Sequence, residues 1–191
     1  MPLLGPADPL PHRPRRIAVS GTSGAGKSAL ARTVAAVTGS PYQELDALYH
    51  GPGWTPRDSF VADVEAFTSA GAWVTEWQFA QTRPLIAERA DLLVWLDHPR
   101  PLVMTRVLRR TIRRRVRRTP LWNGNVEGSL WQAFTDRDDV LWWAWRSHRS
   151  RGERALALLD GPAASRLVVV RLRGQRQVDA WLAGPLTAAV G

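Results

Sequence analysis

Apolar residues along this chain gather in short, β-branched runs separated by longer stretches of helical period. The first run, 15–20 (Arg-Arg-Ile-Ala-Val-Ser), predicts a strand closed by glycine. Helix formers follow over 27–37, with Leu30, Val34 and Val37 at helical spacing and Gly39 just beyond. A second strand is expected at 42–45, ending in the polar turn residue Asp46. Thr55-Pro56-Arg57-Asp58 has the chemistry of a helix start, with threonine as N-cap and proline in the first helical position; that helix is expected to reach Ser69. A third strand at 72–75 runs into Glu76, a short helix covers 83–90, and the apolar run 91–96 predicts a buried fourth strand ending in Asp97. Then come a long helix over 100–118, a loop over 121–128 containing Asn123-Gly124-Asn125, and a helix capped by Asp136 that reaches Leu159. A fifth strand at 166–172 and a last helix at 175–182 complete the pattern.

Strands alternating with helices predict an α/β fold, a parallel sheet between layers of helices joined by right-handed crossovers. The length of 191 residues suits one domain, expected over 15–191. Residues 1–14 carry five prolines and no uninterrupted apolar stretch, so they read as a disordered lead-in rather than a signal peptide. The absence of cysteine excludes disulfides and thiolate metal sites and makes a cytoplasmic protein the default. No run of 18 apolar residues exists, so no membrane span is expected.

The net charge of +9 changes the picture only in one place. Nine arginines and no acid lie between His98 and Val126; removing them from the 26 basic residues leaves 17, equal to the 17 acidic ones. One segment therefore carries the whole net charge. Among the 26 basic residues Lys27 is the single lysine.

That lysine lies in Gly21-Thr22-Ser23-Gly24-Ala25-Gly26-Lys27-Ser28, a complete G-x-x-x-x-G-K-[ST] phosphate loop between an expected strand and an expected helix. Its glycines let backbone N–H groups converge on an anion, and the helix running on through Ala29 adds the positive end of its dipole. Lys27 is expected to reach the β- and γ-phosphates of a nucleotide, and Ser28 to coordinate Mg²⁺. A guanine-specific N-K-x-D motif is absent, which favours ATP.

Ligands of such sheets collect at the carboxyl ends of the strands. Asp46 and Glu76 fall there and are candidates to hold a metal's water shell or to accept a proton from an attacking hydroxyl. Asp97, followed by His98-Pro99, reads rather as a turn and cap. Arg83 opens a helix just beyond Glu76, where it is a candidate clamp for an acidic acceptor. On a helical wheel Met104, Val107, Leu108, Ile112 and Val116 form a packing stripe, with Arg106, Arg109, Arg110, Arg113 and Arg117 on the other side. Three readings of that arginine face stay open: a lid over the transferring phosphoryl group, a nucleic-acid-binding face, or a solvated basic surface. Trp73, Trp95, Trp142 and Trp145 read as core, and Trp54, Trp77 and Trp122 as loop residues near the site.

These parts resemble the nucleoside-monophosphate-kinase and shikimate-kinase group of small P-loop kinases. More narrowly, they are similar to adenylate-kinase-related proteins of the "DNA topology modulation" type. The resemblance rests on the phosphate loop, on Leu45-Asp46-Ala47-Leu48-Tyr49-His50, on Trp73-Val74-Thr75-Glu76-Trp77-Gln78-Phe79, and on Leu93-Val94-Trp95-Leu96-Asp97 before the arginine helix. It implies a five-stranded sheet of order 2-3-1-4-5 and an arginine-rich lid over about 100–128. It also implies an acceptor site facing Asp46 and Arg83, and an adenine site near Arg173-Gly174. Glu76-Trp77-Gln78-Phe79 stands where adenylate kinases carry Asp-Gly-aromatic-Pro-Arg, which argues against AMP as acceptor. The expectation is a Mg²⁺-dependent kinase transferring the γ-phosphoryl group of ATP to a small molecule, as monomer or homodimer, with catalytic arginines at Arg106, Arg110 and Arg113. The rivals are a nucleic-acid-binding ATPase and a nucleotide-dependent switch without acceptor chemistry.

Overall fold

The computed structural model of the chain describes residues 3–116, 121–125, 152–160 and 166–191. At their centre lies a sheet of six strands: β1 (Leu3–Leu4), β2 (Arg16–Gly21), β3 (Tyr42–Gln43), β4 (Trp73–Glu76), β5 (Leu92–Leu96) and β6 (Val168–Leu172). Every pairing is parallel, in the order β1-β6-β5-β2-β4-β3. Such a sheet is covered on both faces, which is why its strands read as near-continuous apolar runs instead of alternating ones. Ile17 and Val19 point into one layer with Leu30, Ala31 and Val34 of α1 (Lys27–Thr38). Val178 and Trp181 of the last helix join the same layer. Ala18, Trp73, Leu93 and Trp95 point into the other, with Leu45, Phe60, Val64 and Ile86. Full burial of side chains of this size contributes about 1.5–3 kcal/mol each.

The sheet has six strands where five were expected: β2 to β6 stand in the order expected for those five, and β1 changes it by adding a sixth at the β6 edge. Leu3 and Leu4 pair with Val169 and Val170, adding a strand at the β6 edge from within the segment read as a disordered lead-in. The added strand covers backbone groups that an open edge would leave unpaired. Two residues between prolines carry no periodicity by which to announce themselves.

Three further boundaries moved for local reasons. The second strand stops at Gln43, because Leu45 already begins helix α2 (Leu45–Tyr49), with Asp46 in its first turn. The helix expected from Thr55 begins at Phe60 as α3 (Phe60–Thr68), since Pro56 is drawn into an antiparallel bridge with His50 and the Arg57 N–H donates to the Tyr49 carbonyl at 2.9 Å. After α4 (Arg83–Arg89) and α5 (Arg100–Val116), the terminal helix α6 (Gln175–Trp181) runs on through a π-turn at Leu182–Leu186 and into Thr187–Val190. Pro185 lies inside that turn, and a residue lacking an N–H fits a widened turn better than regular helix. The expected helix from Asp136, with Trp142, Trp143 and Trp145, falls outside the described residues except for its end, which is helical over 152–157. Arg117 and Arg118 also fall outside them. Among the described residues no helix is long and apolar enough to cross a membrane.

Candidate active site

The carboxyl end of β2 delivers the chain into the phosphate loop. Gly24 and Gly26 take left-handed φ values of 81° and 97°, a conformation that L side chains adopt only with strain. The Ala25 N–H closes a turn on the Thr22 carbonyl at 3.0 Å, and the Leu30 N–H bonds the Gly26 carbonyl at 2.9 Å as α1 begins. Thr22 is buried; Ser23 and Ser28 are half-buried, and Ala29 is exposed in the first turn of α1. Lys27 lies back over the loop, its Nζ 3.4 Å from the Thr22 carbonyl.

Helix α5 packs directly on this loop. Val103 and Val107 are the buried line of the helix, and a Cβ added at Gly24 would collide with Val107 Cγ2. That contact sets the rotation of α5 and with it the fate of the arginines. Arg106 Nη1 donates to the Ala25 carbonyl at 3.3 Å, and Arg110 Nη2 donates to Ser23 Oγ at 3.0 Å. Arg113 is exposed further along. The expected packing stripe needs correction, because Leu108, Ile112 and Val116 are exposed while Val103, Val107 and Thr111 are buried. The true stripe follows i, i+4, i+8 through Val103, so Arg106 and Arg110 flank the buried line and meet the loop.

Beside the loop stands Asp46, whose Oδ1 accepts from Gln78 Nε2 at 3.1 Å. Burial pushes its pKa above the ordinary carboxylate range, and the nearby Lys27 ammonium opposes that shift. Glu76 is fully buried at the end of β4. Its Oε1 accepts from the Tyr42 hydroxyl at 2.6 Å and its Oε2 from the Leu45 N–H at 3.4 Å. Burial, followed by the Glu76 charge, raises the Tyr42 pKa. Glu76 thus ties β4 to the start of α2 and so holds the helix that carries Asp46.

On the far side, Asp97 Oδ2 accepts from Arg171 Nη2 at 2.6 Å and from Arg173 Nε at 3.2 Å. His98 is buried, and its Nδ1 accepts from the Gly174 N–H at 2.9 Å. Burial, then the Arg106 charge, lowers the His98 pKa. Arg106 Nη2 also reaches Gln175 Oε1 at 3.1 Å. The turn at Arg173-Gly174 is therefore fixed against both β5 and α5.

Residues 121–125 pack on the other flank, against the loop at 50–54. Asn125 is buried and accepts from the Trp54 N–H at 3.2 Å while donating to the Gly51 carbonyl at 2.9 Å. Asn123 donates to the His50 carbonyl, and the Trp122 ring stacks on that of His50 at 5.8 Å. The Asn-Gly-Asn turn is thus seated on the loop that follows Asp46.

The structure brings together Lys27, Asp46, Arg106, Arg110 and the loop from Gly21 to Ser28. Arg83 lies elsewhere, in a groove lined by Trp77 and Arg154 that includes neither the phosphate loop nor Asp46. Trp77, read as a loop residue, is buried and donates its indole N–H to the Arg83 carbonyl at 2.9 Å. Gln78, Tyr42, His98 and Asn125 were missed as site-forming residues. Only Gln78 had a usable signal, lying two residues beyond Glu76 in the same extended run.

No family model matches the chain, and no curated protein does. Solved structures do. A shikimate kinase from Acinetobacter baumannii in complex with shikimate is 15% identical, with a TM-score of 0.53, over 88% of this chain and 89% of that one. A gluconokinase from Sinorhizobium meliloti 1021 is 21% identical over 93% and 95% of the two chains, with a TM-score of 0.47. A sugar kinase from Janibacter sp. HTCC2649 is 20% identical over 85% and 98%, with a TM-score of 0.35. The likeness to the shikimate kinase shows a shared fold, a parallel sheet between layers of helices. The narrower adenylate-kinase-related group is not established by these matches.

Proposed function

We propose that this chain is a kinase that transfers the γ-phosphoryl group of ATP to a hydroxyl or phosphate oxygen of a small molecule. The observation that carries the reading is convergence: Lys27, Arg106 and Arg110 lie on the phosphate loop, with the Asp46 carboxyl within reach of the Lys27 charge. Three cations and an anion-binding backbone suit a triphosphate, whose charge must be held and then redistributed. The donor set fits a nucleotide with Mg²⁺. Among the described residues no cluster of three His, Cys, Asp or Glu forms a metal cage, so the ion would be held by Ser28 and phosphate oxygens, the arrangement Mg²⁺ favours. ATP and Mg²⁺ supply a transferable phosphoryl group and the counter-charge that steadies it.

The protein's own groups do the rest. Asp46 takes the proton of an acceptor hydroxyl as the acceptor oxygen bonds the terminal phosphorus. The bond to the bridging oxygen breaks and ADP keeps that electron pair. The burial that raises the Asp46 pKa also makes it a stronger base than an exposed aspartate. Gln78 orients the carboxyl, and Glu76 with Tyr42 anchors the helix under it. Lys27, Arg106 and Arg110 stabilise charge on the phosphates, while Arg173-Gly174, fixed by Asp97 and His98, borders the adenine. The seating of Arg106 and Arg110 on the loop favours the lid reading of the arginine helix over a nucleic-acid face.

The test is Lys27→Ala. It is expected to abolish phosphoryl transfer and to weaken ATP binding at least tenfold by calorimetry. Unchanged ATP affinity in that variant would remove the reading.

A further inference from the structure

Away from the phosphate loop, α4 and the helical stretch 152–157 border a groove of about 710 Å³. That volume lies within the range of about 300–1,000 Å³ typical of small-molecule sites. Its walls are apolar, with Trp77, Pro84, Ala87 and Leu158. Its charge is cationic: among the described residues Arg83, Arg154 and Arg166 line it against a single acid, Glu88. The Arg83 guanidinium lies 5.9 Å from the centre of the Trp77 ring, and among the described residues no carboxylate pairs with Arg83 or Arg154. Burial and the neighbouring Arg154 charge both lower the Arg83 pKa, the signature of two like charges facing one partly desolvated space. An anion between them would relieve that repulsion, and the apolar walls would hold an uncharged body behind it.

We propose that this groove is a second ligand site, separate from the phosphoryl-transfer centre, that takes a small carboxylate with an apolar body of about two fused rings. Arg83 and Arg154 grip the carboxylate, and Trp77, Pro84 and Leu158 enclose the rings. The site stands independently of the kinase reading, since no residue of the phosphate loop and no part of Asp46 lines it.

The probe is 1-naphthoate, titrated into the full chain by calorimetry beside its neutral counterpart 1-naphthylmethanol and inorganic phosphate. Naphthoate is expected to bind at least tenfold more tightly than either. Arg154→Gln and Arg83→Gln should each weaken naphthoate about tenfold, the loss expected for one charge-assisted contact. Arg154→Gln should leave ATP affinity unchanged. Ala157→Trp, made at an exposed position on the rim, should block naphthoate without altering thermal stability. Equal affinity for naphthoate and the alcohol, equal affinity for phosphate, indifference to both arginine changes, or no naphthoate binding at 1 mM overturns the proposal. If Ala157→Trp misfolds, the two arginine variants decide it.

Discussion

The packing of α5 on the phosphate loop makes Gly24 and Val107 a coupled pair, and their coupling can be worked out in advance. Gly24→Ala meets two penalties. Its φ of 81° is left-handed, which costs an L residue about 1–2 kcal/mol. Its new Cβ would overlap Val107 Cγ2, and forced overpacking of this kind costs about 1–3 kcal/mol. The single variant should therefore lose about 2–5 kcal/mol. Val107→Ala removes two methyls from a fully buried side chain and should lose roughly 1.5–3 kcal/mol. In the double variant the overlap with Cγ2 is gone, while the left-handed strain remains. So does the tight approach to the Val103 carbonyl, 3.2 Å from the added Cβ, and to the Val107 nitrogen at 3.3 Å. The double variant should be more stable than the sum of the singles by about 1–3 kcal/mol. Chemical denaturation of the four proteins measures this directly. A chain of this length also shifts its melting temperature by about 2–4 °C per kcal/mol, so a thermal scan gives an independent reading. Additivity within about 0.5 kcal/mol would mean that the helix does not rest on the loop as described.

Asp46→Asn should abolish phosphoryl transfer yet stabilise the fold at pH 7. Because burial raises the Asp46 pKa, the folded state holds that proton more tightly than the unfolded chain; the associated stability is complete below the unfolded value and lost as pH rises through the folded one. The neutral amide removes that cost, so the melting temperature should rise at pH 7, with the gain shrinking in acid. Arg110→Gln should lower kcat about tenfold or more in steady-state kinetics while leaving the melting temperature within about 2 °C, as expected of a charge that acts on phosphate. Tyr42→Phe leaves Glu76 without its hydroxyl partner and should cost roughly 1.5–3 kcal/mol by denaturation. Retained stability there would show that Glu76 does not need that bond to hold α2.

What the sequence made legible follows from the range of the physics involved. The phosphate loop is local: its glycines, lysine and serine act within eight consecutive residues, and the neighbouring strand and helix are set by their own periodicity. Helix α4 and the start of α5 also emerged from local signals. The stripe on α5 did not, because Leu108, Ile112 and Val116 are as apolar as Val103 and Val107; the contact that seats Val103 and Val107 on Gly24 is tertiary and leaves no periodic trace. Glu76 was placed at a strand end but read as facing ligand, since its partner Tyr42 lies 34 residues away in sequence. Arg83 was assigned to the acceptor by its distance along the chain from Glu76, whereas in the fold it shares a groove with Arg154. The two-residue β1 and the seating of Asn123 and Asn125 on the His50-Gly51 loop are tertiary pairings with no periodic trace.

The central claim is phosphoryl transfer to a small molecule, and one measurement reaches it most directly. The purified chain is incubated with γ-labelled ATP, Mg²⁺ and a pool of hydroxyl-bearing metabolites, and labelled products are resolved by mass spectrometry. The account predicts a discrete phosphorylated small molecule, formed by the wild-type chain and absent with both Lys27→Ala and Asp46→Asn. Label appearing only as inorganic phosphate, at a rate that nucleic acid stimulates and Asp46→Asn leaves untouched, would contradict it.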